Sequence, residues 1–347
     1  GTPWRRDCDG WRTAAAAAPE SVVRREPPGT GFRDEPRISA VVLTYNCADW
    51  VTRTLDHHLA LDGAPPVIVV DNASTDGTVE AVGRYPGVDL VSLPRNIGAA
   101  ARNIGALHAR TPYVAFGDDD TWYEPDALSR MADLFDAHPR LAVVTASILV
   151  GEECTEDPIC EEMAESPLAP ADGVPGHTLV SFLAGVSGVR RAAFLGAGGY
   201  DPRLFIGGEE ELLGLDLVRA GWLMRFVPEV VAHHHPSQRN AESIRHIGLR
   251  NTLWCAWLRR HWPEAIRWTA HVLRQAPRSR QTLRGLAMAL SGLPWVLRER
   301  QVVTPELEAQ LRLLDVQRMR SVARCYRPSK PGTTAPARAD AGPVLTR

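Results

Sequence analysis

The chain's 347 residues are 44% hydrophobic and 23% charged, enough for one large core with an appended piece and too apolar for an acidic disordered chain. Lys+Arg 39 against Asp+Glu 41 leave a net charge of −2, which excludes a polyanion binder by bulk charge. The balance conceals a split: residues 37–240 hold 14 basic and 28 acidic side chains, and residues 241–347 hold 19 and 7, an asymmetry that assigns separate tasks to separate segments.

Residues 1–36 carry an alanine run and Pro27-Pro28-Gly29 without periodicity, and read as a disordered leader. From Ile38 short apolar runs predict strands over 38–43, 67–70, 88–93, 113–116 and 141–150, with helices of about 10–13 residues between them near 49–60, 76–84, 98–109 and 125–138. Apolar strands alternating with helices predict an α/β fold with a mostly parallel sheet. Over 151–176 the pattern lapses into a Pro-bearing stretch crowded with Glu152, Glu153, Glu156, Asp157, Glu161, Glu162 and Glu165, which predicts a mobile acidic loop. Structure resumes at Thr178, with a helix near 209–220 and a strand over 222–227. Helices rich in Arg and Trp follow at about 242–261, 264–275, 279–298 and 305–325, and the tail after Pro328 reads as disordered. The expected division is a leader (1–36), an α/β domain (37–240), a helical region (241–327) and a tail (328–347).

Six scattered cysteines (Cys8, Cys47, Cys154, Cys160, Cys255, Cys325) make no disulfide framework and no C-x-x-C pair, so they read as ordinary thiols. No run reaches the ~18–20 apolar residues of a membrane span, and Ala14 to Ala18 is too short for a signal sequence. The expectation is a reduced, cytoplasmic protein, with the inner membrane face as a peripheral location.

Parallel α/β sheets bind ligands beyond the carboxyl ends of their strands. The first strand ends in Thr44-Tyr45-Asn46, the second in Asp71-Asn72-Ala73-Ser74-Thr75-Asp76-Gly77-Thr78. Carboxylate and amide groups there suit a nucleobase edge; Ser74 or Thr75 serves equally as a helix cap. Asn96-Ile97-Gly98 and Arg102-Asn103-Ile104-Gly105 bring small residues to a helix start, where phosphate is attracted. Neither G-x-G-x-x-G nor G-x-x-x-x-G-K-[ST] occurs, which removes the main support for a dehydrogenase or a P-loop NTPase.

Asp118-Asp119-Asp120 closes an apolar strand. Three successive carboxylates repel one another unless a cation neutralises them, and incomplete oxygen coordination suits Mg²⁺ or Mn²⁺ shared with a diphosphate; a solvated acidic turn is the plain alternative. Glu209-Glu210-Glu211 opens a helix, where acidic residues serve as dipole partners or hold a general base. In His233-His234-His235 a strand puts His233 and His235 on one face, and one neutral imidazole would complete the octahedron that the aspartates begin.

In this order the segments resemble the family 2 inverting glycosyltransferases of the GT-A fold, over about 38–236: Val-Val-Leu-Thr-Tyr-Asn at 41–46, Val-Val-Asp-Asn-Ala-Ser-Thr-Asp-Gly-Thr at 69–78, Asn96-Ile97-Gly98, the D-x-D group at 118–120, Gly-Gly-Tyr-Asp at 198–201, the acidic pair at 209–210, and His233 five residues after Pro228. The resemblance implies a Rossmann-like nucleotide-diphospho-sugar transferase domain, a nucleotide-sugar donor, a hydroxyl acceptor and a bound Mg²⁺ or Mn²⁺. It further implies a uridine or thymidine site at Thr44, Tyr45 and Asp71, donor contacts at Asn96 and Arg102, and Asp118 near ribose and metal with Asp119 beside it. It makes Asp120 the expected main metal ligand, with His233 at the metal or diphosphate and His235 sharing its face. The family's base lies in a Glu-Asp pair; here Glu210 stands at the Asp position, and its extra methylene leaves Glu209 and Glu211 open as the base.

The helical C-terminal region lies outside the main resemblance. Trp254, Trp257, Trp262, Trp268 and Trp295 interleave with Arg259, Arg260, Arg267, Arg274, Arg278, Arg280 and Arg284. That mixture fits helices that pack Trp inward and point Arg at solvent or at the acidic domain, and also a surface near anionic lipid. No nucleic-acid reader motif accompanies the charge. Two other functions stay open: an inactive nucleotide-sugar sensor, kept by the non-consensus Glu210, and a sugar nucleotidyltransferase, which lacks its Gly-rich basic loop after the first strand.

Overall fold

A computed structural model describes residues 36–171, 173–236 and 244–320. The leader, but for Pro36, and the tail expected after 328 lie outside them. Strand β1 (Ile38–Thr44) is buried at every residue but Leu43. It is followed by α1 (Ala48–Leu59), β2 (Val67–Asp71), α2 (Thr78–Val82) and β3 (Val88–Ser92). A 3-10 turn over Gly98–Ala100 leads into α3 (Ala101–His108) and β4 (Tyr113–Asp118). β1, β2 and β4 read as unbroken apolar runs because helices cover both of their faces.

The chain then runs through β5 (Thr121–Tyr123), α4 (Ala127–Ala137), β6 (Leu141–Val150), β7 (Thr155–Glu156), α5 (Pro158–Ala164), β8 (His177–Thr178), a 3-10 turn over Ala184–Val186, β9 (Ser187–Arg190), α6 (Arg191–Gly196), α7 (Glu209–Arg219) and β10 (Leu223–His234). The strands make one ten-stranded sheet in the order β3-β2-β1-β4-β9-β6-β10-β5, with β7 on β6 and β8 on β10. Its parallel character resides in β3-β2-β1-β4 and in β6-β10. The short β9 runs antiparallel between β4 and β6, so the sheet is mixed. β9 and β5 are too short to form an apolar run that periodicity would detect.

The acidic stretch over 151–176 is not one loop. Asp157 accepts the Ile159 N–H and Pro158 sits at the first helical position, a start signal that nucleates α5 and buries Cys160 and Met163. The glutamates occupy the outer side. The strand expected over 222–227 extends to His234, with a register shift against β6 between Val227 and Val231.

Five helices close the described chain: α8 (Arg245–Arg259), α9 (Trp262–Gln275), α10 (Arg280–Ser291), α11 (Leu293–Glu299) and α12 (Pro305–Arg320). The single helix expected over 279–298 breaks at Gly292, because Pro294 cannot continue the ladder of α10 and instead opens α11. A second apolar cluster, built around Leu204, Leu212, Leu249, Leu253, Trp254 and Trp257, joins these helices to the lead of α7. Trp254 donates to the Ala289 carbonyl (3.0 Å) and Trp257 to Thr269 (2.9 Å). Arg259, fully buried, makes a two-pronged pair with Asp216 of α7, both contacts 2.7 Å. Arg260 is held between Glu308 and Asp315 of α12. Among the described residues no helix is long and apolar enough to cross a membrane, and Cys47, Cys154, Cys160 and Cys255 form no disulfide with one another.

Candidate active site

Register aligns the carboxyl ends of three strands: Thr44 opposes Asp71, and Leu43 opposes Asp118. From β1 the chain winds outward through β2 to β3, then returns to β4 on the other side, so the crevice at these ends is a topological switch point. Polar side chains knit its first wall. Asn46 accepts the Thr75 N–H (2.8 Å) while its own N–H goes to Ser74 (2.8 Å), and Thr78 accepts from Cys47 (2.9 Å). Both oxygens of Asp71 lie 3.2 Å from the Ser74 N–H that they accept. Tyr45 stands at the rim, 41% exposed.

The three aspartates face three ways. Asp119 is buried: one of its oxygens accepts the Thr44 hydroxyl (2.8 Å) and the Tyr45 N–H (3.2 Å), and its carbonyl accepts the Thr54 hydroxyl (2.7 Å). Asp119 and the Thr44 hydroxyl, both expected to meet a nucleotide, are bonded to each other and shape the loop. Asp118 pairs with Arg102 of α3. Gly185 lies over Asp118, and a side chain there would collide with the carboxylate. Asp120 accepts the Thr121 hydroxyl at 3.4 Å.

His234, rather than His233 or His235, faces Asp120, with Nε2 at 3.9 Å from the carboxylate. His233 and His235 do share a side, as strand alternation requires, but it is the side of Trp122: His235 stacks on that ring at 4.5 Å, and His233 lies 5.9 Å from it. Nε2 of His233 is 2.7 Å from Glu124, and His235 lies 3.5 Å from Glu152. Cross-strand pairing of His233 with Trp122 and of His234 with Thr121 decides the matter. Among the described residues no three His, Cys, Asp or Glu side chains converge into a metal cage. Asp120 and His234 together offer two donors, and an ion held there would draw its other ligands from a phosphate-bearing molecule and water.

Glu209 and Glu210 start α7 behind Gly208. Glu209 is 4% exposed, and burial, then the charge of Glu210, pushes its carboxyl up to about 8. Burial also raises Glu210, opposed by Arg102 and by the backbone N–H that Ala184 donates to it. As a residue Glu210 keeps some exposed surface, whereas Glu209 is buried. Glu211 turns away to Arg318 of α12 (3.0 Å). Burial works against the charge of Arg102, but the Asp118 carboxylate that it pairs with, aided by Glu209 and Glu210, more than offsets this and raises its pKa. Around it three buried polar atoms lack a hydrogen-bond partner among the described residues: Arg102 Nε, the Tyr200 hydroxyl and Glu209 Oε2. Unpaired buried groups are costly, and these three belong to side chains that act on one another electrostatically.

The loop over residues 96–100 is tied to neighbouring elements. Asn96 accepts the Gly98 N–H (2.8 Å), and Asn72 exchanges bonds with Ile97 and Gly98. Ala99 donates to the carbonyl of Phe205 at 2.6 Å, and Gly98, at φ 65°, leaves room for that carbonyl. Asn103 exchanges two bonds with the backbone of Tyr200 (2.8 and 2.9 Å). Asn72, Asn103, Tyr200 and His234 were not singled out from the sequence; the partners of both asparagines are main-chain groups, which leave no mark on residue type.

A family model described as Glycosyl transferase family 2 matches residues 39–195. The succinoglycan biosynthesis protein ExoO of Rhizobium meliloti is 40% identical over 106 residues, which span 29% of this chain but only 30% of that protein. An N-acetylglucosaminyl-diphospho-decaprenol L-rhamnosyltransferase of Mycobacterium tuberculosis is 27% identical over 275 residues, 67% of this chain and 88% of the relative. The structure of GalNAc-T7 with UDP, GalNAc and Mn²⁺ superposes with a TM-score of 0.57 at 14% identity, over 82% of this chain and 58% of that one. The domain match places residues 39–195 in glycosyltransferase family 2, and the shared architecture gives the chain the GT-A fold.

Proposed function

We propose that the protein transfers a sugar from a UDP- or dTDP-sugar to an acceptor hydroxyl, with inversion at the anomeric carbon and with help from a divalent cation. The observation that carries the reading is the pairing of Asp118 with Arg102, within reach of the charges of Glu209 and Glu210 and with three unpartnered buried polar atoms on Arg102, Tyr200 and Glu209. Asp71, at the crevice floor, suits the N3–H of uracil or thymine, because a carboxylate accepts more bonds than the one that Ser74 supplies.

Glu210 takes the proton of the acceptor hydroxyl as its oxygen bonds to the anomeric carbon; the bond from that carbon to the diphosphate breaks, and the diphosphate leaves. Such a base contributes about 10²–10⁴-fold. Glu210 fits the role better than Glu209 because the residue keeps some exposed surface and because the Ala184 N–H favours its ionised form, in addition to the help that Arg102 gives to both. The carboxylate of Asp120 and the imidazole of His234 would hold Mg²⁺ or Mn²⁺ jointly with the donor. Such an ion stabilises charge on the departing diphosphate. Arg102 supplies further positive charge at the same place. The Mn²⁺ bound to GalNAc-T7 supports the reading by likeness of fold.

The C-terminal helices support a peripheral contact with anionic lipid. Leu283, Leu290 and Leu297 are 69%, 51% and 56% exposed at helical spacing along α10 and α11, with Arg280, Arg284 and Arg298 exposed beside them. Co-sedimentation with phosphatidylglycerol vesicles that is lost at high salt checks this contact.

Thermal stabilisation by UDP, dTDP and GDP, with and without Mn²⁺, followed by product analysis with the matching sugar nucleotides, tests the whole reading. Stabilisation by UDP or dTDP that chelator abolishes, together with transfer, upholds it; chelator-insensitive binding, or binding without transfer, overturns it.

A further inference from the structure

The lead into α7, residues 203–208, is an irregular segment with Phe205, Gly207 and Gly208 all in the left-handed region, at φ 65°, 80° and 95°. A non-glycine residue at such a φ is strained and persists only when its surroundings fix it. The fixing comes from outside the family match, from two adjacent side chains on α8. The Asn251 amide, fully buried, lies within hydrogen-bond distance of three carbonyls: Leu204 (2.7 Å), Ile206 (3.0 Å) and Gly207 (2.5 Å). Arg250 donates to the carbonyls of Arg203 (3.0 Å) and Leu204 (2.9 Å). Its Nε also donates to the Asn251 oxygen (2.9 Å), which turns the NH₂ of that amide toward the segment.

The segment has two outputs. Gly208 is the residue from which α7 starts, so the backbone that Asn251 grips sets where Glu209 and Glu210 emerge. The Phe205 carbonyl accepts from Ala99, so the same backbone fixes the donor-side loop at Gly98–Ala100. We propose that Asn251, oriented by Arg250, is a positioning residue for sugar transfer: it holds the 203–208 segment in the one conformation that sets the base and the donor loop at their working separation. The inference rests on the proposed function, and it makes α8 part of the catalytic apparatus rather than an appendage.

The test uses the full chain and reads nucleoside-diphosphate release from a panel of UDP- and dTDP-hexoses, with the donor that wild type consumes fastest as the probe. Asn251→Asp keeps the shape but aims a carboxylate oxygen at three carbonyls, and Asn251→Ala removes the grip. Trp257→Phe, which loses a bond to Thr269 elsewhere on α8, is the stability-matched control. Misplacement by about 1 Å costs on the order of 10²-fold. The expected result is a fall in kcat of at least about that size in both Asn251 variants, assayed below their melting temperatures. KM for the donor should change far less, and Trp257→Phe should keep the wild-type kcat. Arg250→Lys, which loses the orienting Nε, should fall between. If either folded Asn251 variant stays within a few-fold of wild type in kcat, or if Trp257→Phe loses as much at matched stability, the inference is overturned while the proposed function stands. If wild type releases no diphosphate from any donor and binds neither UDP nor dTDP, the proposed function falls and the inference with it.

Discussion

Arg102 reaches the Asp118 carboxylate from a walled-in seat: the guanidinium side chain is 6% exposed and its partner 44%. The cation is thus held by the protein, and the anion stays open to the crevice. Because Arg102 also favours the ionised forms of Glu209 and Glu210, its removal should raise both carboxyls further. In Arg102→Met the rising limb of the activity–pH profile should move to higher pH, with kcat at pH 7 lowered at least about tenfold by loss of ionised base. A pH series on the purified variant, paired with wild type, measures the shift.

The face occupied by His234 sets a contrast among three neighbouring residues. His234→Ala should weaken Mn²⁺-dependent binding of nucleoside diphosphate about tenfold or more. His233→Ala and His235→Ala, whose rings lie along Trp122, should leave that binding near wild type and lower the melting temperature. Calorimetric titration with UDP at fixed Mn²⁺ separates the three.

Glu210→Gln should lower transfer at least about 10²-fold and leave diphosphate binding intact, since an amide cannot take the proton. Glu209→Gln answers a different question. The folded protein keeps the Glu209 proton up to about pH 8, while the unfolded chain sheds it in the ordinary carboxylate range. Folded protein therefore binds more protons between those limits, and stability falls as pH rises through that window, then levels off. Glu209→Gln should remove this slope and raise the melting temperature at neutral pH, as thermal melts from pH 5 to pH 9 would record.

Asp119→Ala should destabilise the fold by about 1–3 kcal/mol for the buried Thr44 hydroxyl that it strands, and by less for the Tyr45 amide, which lies nearer to solvent. Asp119→Asn, which keeps an acceptor oxygen, should cost less. Urea unfolding of the two variants gives the comparison.

The strands that hold the crevice were legible because β1, β2 and β4 are continuous apolar runs that end in polar residues, and the ordered motifs named the family. The strand alternation at 233–235 was legible too, but not the face: alternation says which residues sit together, and only pairing with Trp122 and Thr121 on β5 says where. Periodicity does not register a three-residue strand. The acidic stretch hid α5 because its charge suggested solvent, although Asp157-Pro158 was a start signal in plain view. Asn251 was silent for a deeper reason: its partners are carbonyls 44–47 positions earlier, and a carbonyl is the same on every residue.

The bond from Ala99 to Phe205 and the clasp of Asn251 on the next two peptides put three distant stretches of chain under one geometric constraint. Chimeras built by grafting the tail half of one relative onto the head half of another should therefore lose turnover when the seam falls between 208 and 245. They should keep it when the bridge over 203–208 travels with its own α8. Where recombination is allowed to cut this scaffold is thus written in hydrogen bonds to main-chain carbonyls.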